Sequence, residues 1–200
     1  MSDTIDTVRP QEASRARLLK AETNETHGRL DQAIMAGRPF ESRDRYGRFL
    51  RVQHQFHRDI DALYANGRLD RLLPDLAGRR RLGQIERDLA DLAVSVPAAT
   101  QPPVFGADPD IATALGWLYV AEGSNLGAAF LIKEAAKLGL SESLGARHLA
   151  GAPEGRGLHW KTFTAALDAL ELDEAGEVRM AEGAKAAFRR VHELVNEAFA

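Results

Sequence analysis

His27 is the first residue in this chain whose setting suggests chemistry. It stands in the segment LLKAETNETHGRLD, beside the small Gly28, with Asp31 four positions on and Lys20 seven positions back. In a helix, His27 leans toward the inward face and Asp31 lies one turn away on the same side. Such an imidazole is either an ordinary histidine at the edge of a core or a ligand to a metal or to haem iron. In the second case Asp31 can accept the other ring N–H and so fix the tautomer and the ring orientation. Lys20 lies roughly 10 Å along the axis at ~1.5 Å per residue, where it can meet an acidic group at the edge of a ligand held by His27. Otherwise Lys20 and Asp31 are solvated surface charges.

The second feature is Gly123-Ser124-Asn125-Leu126-Gly127, which interrupts an apolar, helix-forming stretch. Each glycine costs about 1 kcal/mol of helix propensity relative to alanine, and a Gly/Ser pair is a common cause of a kink. Three explanations stand side by side: close packing against another helix, a plain helix–loop–helix break, or a backbone that must approach a flat ligand. His54 and His57 are three apart, a spacing that can bind a metal, but no second half-site accompanies them, so they read as a partly exposed pair. His148, His159 and His192 show no partner pattern. No Glu-x-x-His occurs, which argues against a di-iron bundle. Phosphate-binding loops, dinucleotide fingerprints, nucleophile elbows and H-E-x-x-H are also absent.

The elements that must position these residues are helical throughout. Residues 1–10 are polar, end at Pro10 and form a flexible N-terminus; one domain spans 11–200. A first helix runs from about Gln11 to Met35, with Leu18, Leu19, Thr26 or His27, Leu30 and Ile34 along one face, and Gly37-Arg38-Pro39 ends it. A second starts after Ser42, a good N-cap, and carries an apolar stripe of Tyr46, Phe49, Leu50, Phe56, Ile60, Leu63 and Tyr64. A short turn covers Leu69–Leu73, and a third helix spans roughly Arg79–Leu92. Val94 to Asp108, with three prolines, is a loop. Asp110–Ala121 and Gly123–Leu138 form buried helices with EGSNLG between or within them, and Gly139 ends them. Ser141–Gly157 is mostly loop, with a short helix near His148. Trp160–Leu170 and Glu174–Phe199 complete an all-α fold of seven or eight helices.

Composition narrows the function classes. The chain has 200 residues and no cysteine, which removes a disulfide scaffold, a thiolate metal site and a cysteine nucleophile. Lys and Arg number 26 against 29 Asp and Glu, a net charge of −3, without the basic excess of a nucleic-acid binder. No secretory h-region opens the chain and no run approaches the ~18 apolar residues of a membrane span. A cytoplasmic monomer is the expectation.

Taken together these residues resemble the haem oxygenases, specifically their small bacterial branch. The resemblance rests on LLKAETNETHGRLD, ALGWLYVAEGSNLGAAFLIKEA, GARHLAG…HWKTF and the closing AFRRVHELVNEAF, and covers the chain from about Ala13. It implies that His27 is the proximal ligand to haem iron. Gly123, Ser124 and Gly127 would line the opposite face, leaving room for the macrocycle and for O₂, with Trp117, Leu126 and Phe130 as candidate walls. Haem would be both substrate and cofactor, opened with O₂ and reducing equivalents to biliverdin, CO and iron. Ordered water rather than a side-chain acid would deliver protons, since Ser124 stands where animal members carry an aspartate. The absence of cysteine suits a neutral histidine ligand in place of a thiolate.

The resemblance also bears on regiochemistry. Members that open the ring at the α position have a lysine seven before the proximal histidine and a tyrosine ahead of the glycines, and Lys20 and Tyr119 stand at those places. A related bacterial type that yields β and δ products has asparagine and phenylalanine there, and a lysine where this chain has Glu134. The α isomer is therefore expected. Arg190, with Arg189, is a further candidate for the propionate edge, or else a solvated basic pair. A ferredoxin or flavoprotein reductase would dock near Lys20. A non-catalytic haem carrier or sensor on the same scaffold is the alternative; a thiamin-pyrimidine hydrolase of the same fold would need a cysteine.

Overall fold

The computed structural model describes residues 14–200, so the flexible segment expected over 1–10 lies outside the described residues. Seven α-helices make up the described chain: α1 (Arg15–Ala36), α2 (Arg43–Ile60), α3 (Gly67–Leu72), α4 (Leu82–Asp91), α5 (Ile111–Lys137), α6 (Arg156–Asp168) and α7 (Glu174–Phe199). Three short 3₁₀ segments, Asp61–Ala65, Ala77–Arg79 and Arg147–Leu149, lie between them. No helix is long and apolar enough to cross a membrane among the described residues.

The helix starts follow capping chemistry. The Ser42 hydroxyl accepts from Arg45 N at 3.2 Å, the Asp110 carboxylate from Thr113 N at 2.9 Å and the Asp173 carboxylate from Gly176 N at 2.7 Å. Asn66 caps α3 through the Arg68 and Leu69 amides, so that helix begins two residues earlier than its apolar pattern suggests. After α5 the chain turns at Gly139, whose φ of +73° suits a residue without a Cβ.

The α2 stripe is buried as the periodicity predicts. On α1 the register differs: Leu19, Thr23 and Leu30 face inward, while Leu18 is half-exposed. Only one residue of a Leu-Leu pair can join a stripe of this spacing, and the packing against α7 selects Leu19. The GSNLG segment lies within a single continuous helix, α5, which removes the helix–loop–helix break.

Close packing is also removed as the reason for Gly123 and Gly127, because other glycines serve it. At the crossing of α5 and α7, a Cβ on Gly116 would stand 2.0 Å from the Met180 carbonyl oxygen, and one on Gly183 would stand 2.4 Å from the Thr113 carbonyl oxygen. Those two positions bring the helix backbones into contact. A Cβ on Gly127 meets no atom within 4 Å, and one on Gly123 makes ordinary contact with Trp160 Cη2 at 3.6 Å. The second pair therefore borders space, and that space is the site.

Candidate functional site

A cavity of about 740 Å³ opens between α1 and α5 and is closed on its remaining sides by α2, α7, Trp160 and the Arg147–Leu149 turn. Its size is that of a pocket for a drug-sized ligand. From α1 come Arg17, Lys20, Thr23, His27, Leu30, Asp31 and Ile34, recurring at helical spacing; from α5 come Tyr119, Val120, Gly123, Ser124, Gly127 and Leu131. The expected histidine, lysine, tyrosine and glycines thus share one cavity.

His27 reaches this cavity from an exposed position, with its ring 5.3 Å from that of Phe188. Asp31 is near enough to orient it, and the nitrogen that faces Asp31 Oδ2, at 3.5 Å, is Nε2. No group of three or more His, Asp or Glu side chains is arranged to hold an ion among the described residues. Ser124 also borders the cavity, but its hydroxyl donates to the Ala121 carbonyl one turn back, at 2.7 Å. Its proton is committed to the helix.

One end of the cavity is basic. Lys20 lies there with Arg17, one turn earlier on α1, a residue that sequence reasoning missed although its i, i+3 spacing from Lys20 marks it. Tyr119 is largely buried beside them and its hydroxyl donates to the Ala16 carbonyl at 3.4 Å. Burial raises the Tyr119 pKa, keeping it a neutral donor.

Two expected residues are elsewhere. Arg190 does not reach the cavity: its Nε donates to Asp59 Oδ2 at 2.8 Å, an almost wholly buried carboxylate on α2. A buried charge requires a partner, and α7 supplies it with Arg190. Arg189 lies on a separate shallow pocket with Thr26 and His192. Trp117 is core, stacked on Phe56 at 5.9 Å and edge-on to Phe105 at 5.3 Å, whereas Leu126 and Phe130 do border the cavity. Glu134 is paired with Lys137 on the same helix.

The histidines of the interior differ most from expectation. His54 and His57 are both buried, not partly exposed. His54 faces Glu86 on α4, with its Nε2 at 3.8 Å, while His57 borders the cavity, so they do not share a ligand. His148 and His159, which lack a partner in sequence, each have one in space. His148 Nδ1 lies 2.8 Å from Asp88 Oδ2, and the His148 and Arg147 amides donate to the same carboxylate. Despite its burial, Asp88 is held below its ordinary pKa by these bonds. The ionised carboxylate accepts a hydrogen bond from His148 Nδ1–H, which leaves Nε2 of the neutral ring as an acceptor.

His57, His148 and Arg81 all border the cavity, and His57 Nδ1, His148 Nε2 and Arg81 Nε are buried with no protein partner. Burial, reinforced by Arg81, pushes the His57 pKa down to about 3, and burial also lowers that of His148. Both imidazoles stay neutral at physiological pH. The cavity thus has a polar corner made from α2, the turn before α4 and the turn before α6. Arg81 Nη1 donates to the His148 carbonyl at 2.6 Å, so its Nε and one nitrogen of each imidazole are the polar atoms left facing the cavity without a protein partner.

Comparison with known proteins gives the same picture over nearly the whole chain. A family model described as haem oxygenase matches residues 13–197. Haem oxygenase PigA of Pseudomonas aeruginosa is 46% identical over 199 residues, covering 98% of this chain and all of the relative. The haem oxygenase of Neisseria meningitidis, solved with NO and CO bound, superposes with a TM-score of 0.87 at 38% identity, covering 93% of this chain and 92% of that one. The haem oxygenase of Leptospira interrogans shares the fold, with a TM-score of 0.73 at 19% identity over 92% of this chain and all of that one.

Proposed function

The chain belongs to the haem oxygenase family, and on that premise we propose that it opens haem oxidatively to biliverdin, with release of CO and iron, in the cavity between α1 and α5. One observation carries the reading. A histidine on α1 shares a cavity with a glycine-lined stretch of α5, where a Cβ on Gly127 would meet open space rather than another helix. That arrangement fits a flat macrocycle with an iron-bearing centre, because one side offers a nitrogen ligand and the other offers bare backbone.

His27 would hold the iron through its imidazole, with Asp31 orienting the ring. When bound, haem supplies both the iron that activates O₂ and the carbon that is oxidised. Gly123 and Gly127 admit the ring and crowd what lies between ring and helix. His57, His148 and Arg81 are the groups that would hold water in the cavity. Neutral imidazoles accept from that water and the guanidinium donates to it, so protons can be delivered without a side-chain acid and without Ser124 breaking its bond to Ala121. Lys20, Arg17 and Tyr119 would take the carboxylates at the ligand's edge. Carboxylates held at that end would fix how the ligand is seated, and Lys20 and Tyr119 there are the grounds for expecting the α isomer. A ferredoxin or flavoprotein reductase would approach the same basic end to deliver electrons.

The test is reconstitution with hemin followed by ascorbate or a reductase under O₂. Loss of the Soret band with formation of biliverdin IXα and release of CO is the expected result. A Soret band that persists without CO release would overturn catalysis, and mainly β or δ isomers would overturn the assignment of the ring's rotation.

A further inference from the structure

Directly behind the Gly123 turn lies a buried ionic cluster that the cavity itself does not use. Arg79, on the 3₁₀ turn Ala77–Arg79, donates to Glu122 Oε2 at 2.8 Å, and both side chains are almost fully buried. Arg79 also donates to the carbonyls of Pro74 and His159, at 3.0 and 3.3 Å, and lies over the Phe163 ring. His159, on α6, places Nδ1 in hydrogen-bond contact with Glu154 Oε1 at 2.7 Å, while its buried Nε2 stands 3.4 Å from the same Glu122 oxygen, an ion-pair distance without a hydrogen bond. Glu154 is the one member that reaches solvent.

Each end of this cluster is next to a cavity residue. Glu122 immediately precedes Gly123. His159 immediately precedes Trp160, whose ring packs on the Gly123 backbone, 5.6 Å from the ring of Tyr119 and 5.8 Å from that of Phe163. From the next turn of α6 back, Arg156 donates to the Asn125 carbonyl at 2.9 Å.

We propose that His159 is a positioning residue: by bridging Glu122 and Glu154 it sets where the Gly123 turn and the Trp160 ring stand, and so how the ligand is seated. This rests on the haem reading of the cavity. A buried ion pair contributes little net stability, since apolar residues of similar volume are often as good. What it does supply is registration, here of three separate elements at the one stretch of α5 that lacks side chains.

The imidazole gives this registration a proton dependence. The neutral ring can donate to Glu154 through Nδ1, but its bare Nε2 then faces the Glu122 carboxylate; only the doubly protonated ring turns a proton and a positive charge toward both carboxylates. The groups around it are Glu122 on α5, Glu154 ahead of α6 and Arg79 beneath, with Tyr64 and Arg81 next around Glu122. The Glu122 carboxylate and then the hydrogen bond to Glu154 raise the His159 pKa above its ordinary 6.5, against burial and Arg79. The bridge is complete below that midpoint and loses one link above it.

The experiment is an NMR pH titration of the ¹⁵N-labelled protein without haem, followed by turnover of the hemin complex. The Gly123 amide and the Trp160 indole N–H are expected to titrate with the midpoint of the His159 ring, and the Trp117 indole is expected not to. Glu154→Gln, which leaves the buried pair intact, should move that shared midpoint down, and His159→Gln should abolish it and change the ratio of bilin isomers. Gly123 and Trp160 signals that stay flat across the His159 titration would overturn the proposal, as would a midpoint unmoved by Glu154→Gln. An unchanged isomer ratio in His159→Gln would overturn the link to seating. Failure of the wild-type protein to bind hemin would instead overturn the haem reading, and the titration is read independently of it.

Discussion

Replacing Gly127 separates two reasons for a glycine in a helix. If Gly127 exists to let backbone approach a ligand, adding a side chain leaves the empty protein unharmed and damages only the ligand complex. The structure supplies the magnitudes. A Cβ at this position meets nothing within 4 Å, so Gly127→Ala carries no steric cost and gains up to about 1 kcal/mol of helix propensity. For a chain of this size that corresponds to a rise in Tm of roughly 2–4 °C. Gly127→Leu gains similarly in the empty protein but projects a branched side chain into the cavity. Its affinity for hemin should fall by at least about tenfold, equivalent to ~1.4 kcal/mol. Gly116→Ala is the control: its Cβ would stand 2.0 Å from a backbone oxygen of α7, and overpacking of that kind costs about 1–3 kcal/mol or more. Thermal unfolding by circular dichroism and hemin titration in the Soret region read the two effects separately. A Gly127→Ala protein that melts well below wild type would refute the reasoning, and so would a Gly127→Leu protein that binds hemin as wild type does.

Four further outcomes are expected. His27→Ala should leave Tm within about 1 °C of wild type, because an exposed side chain contributes little to stability, while the hemin complex loses the spectrum of a histidine-ligated iron; an unchanged spectrum would place the ligand elsewhere. Lys20→Asn combined with Tyr119→Phe should spread the product over several bilin isomers, and a single unchanged isomer by chromatography would count against the basic end as the seat of the carboxylates. Arg190→Ala should destabilise the protein by on the order of 2–3 kcal/mol in urea, because it removes the hydrogen-bonded partner of buried Asp59 and leaves only Arg58 at 3.9 Å, and should leave the isomer pattern alone; altered regiochemistry would return Arg190 to the cavity. Acid should weaken the fold through His57. The folded imidazole stays neutral down to about 3 while the unfolded one takes its proton near 6.5. Stability is therefore complete above that value and falls by up to ~1.4 kcal/mol per pH unit below it. Urea titrations at pH 7 and pH 5 check this, and His57→Gln should show a shallower slope.

The part of the site that was legible in sequence is the part carried by single helices. His27, Asp31 and Lys20 are related by helical spacing alone, and Gly123 and Gly127 stand out because glycine is costly in an apolar helix. Tyr119 and Ser124 followed from family resemblance at neighbouring positions. The polar corner was not legible, because its residues are scattered: His57 on α2, Arg81 before α4, and His148 before α6, oriented by Asp88 on α4. Sequence showed these histidines but not their partners, so the buried His57 read as partly exposed and His148 as unpartnered. Arg190, expected at the cavity edge or in solvent, and Trp117, a cavity wall or plain core by sequence, were undecided for a related reason. Each lies one or two steps around its helix from residues that border the cavity, and only the neighbouring helix decides which side an arginine or tryptophan takes.

By itself, then, the sequence determined the all-α class, the approximate helix spans, the inward face of α2 and the two chemically unusual stretches. Helical periodicity, capping residues and glycine propensity are local properties, and they act within a few residues. Tertiary structure decided that GSNLG lies inside one continuous helix, that Gly116 and Gly183 serve packing while Gly127 borders open space, and that Asp59 claims Arg190. It also built the Glu122, Arg79 and His159 cluster behind the Gly123 turn. These depend on which helix faces lie against each other, and that is settled by how the whole set of side chains fills the interior.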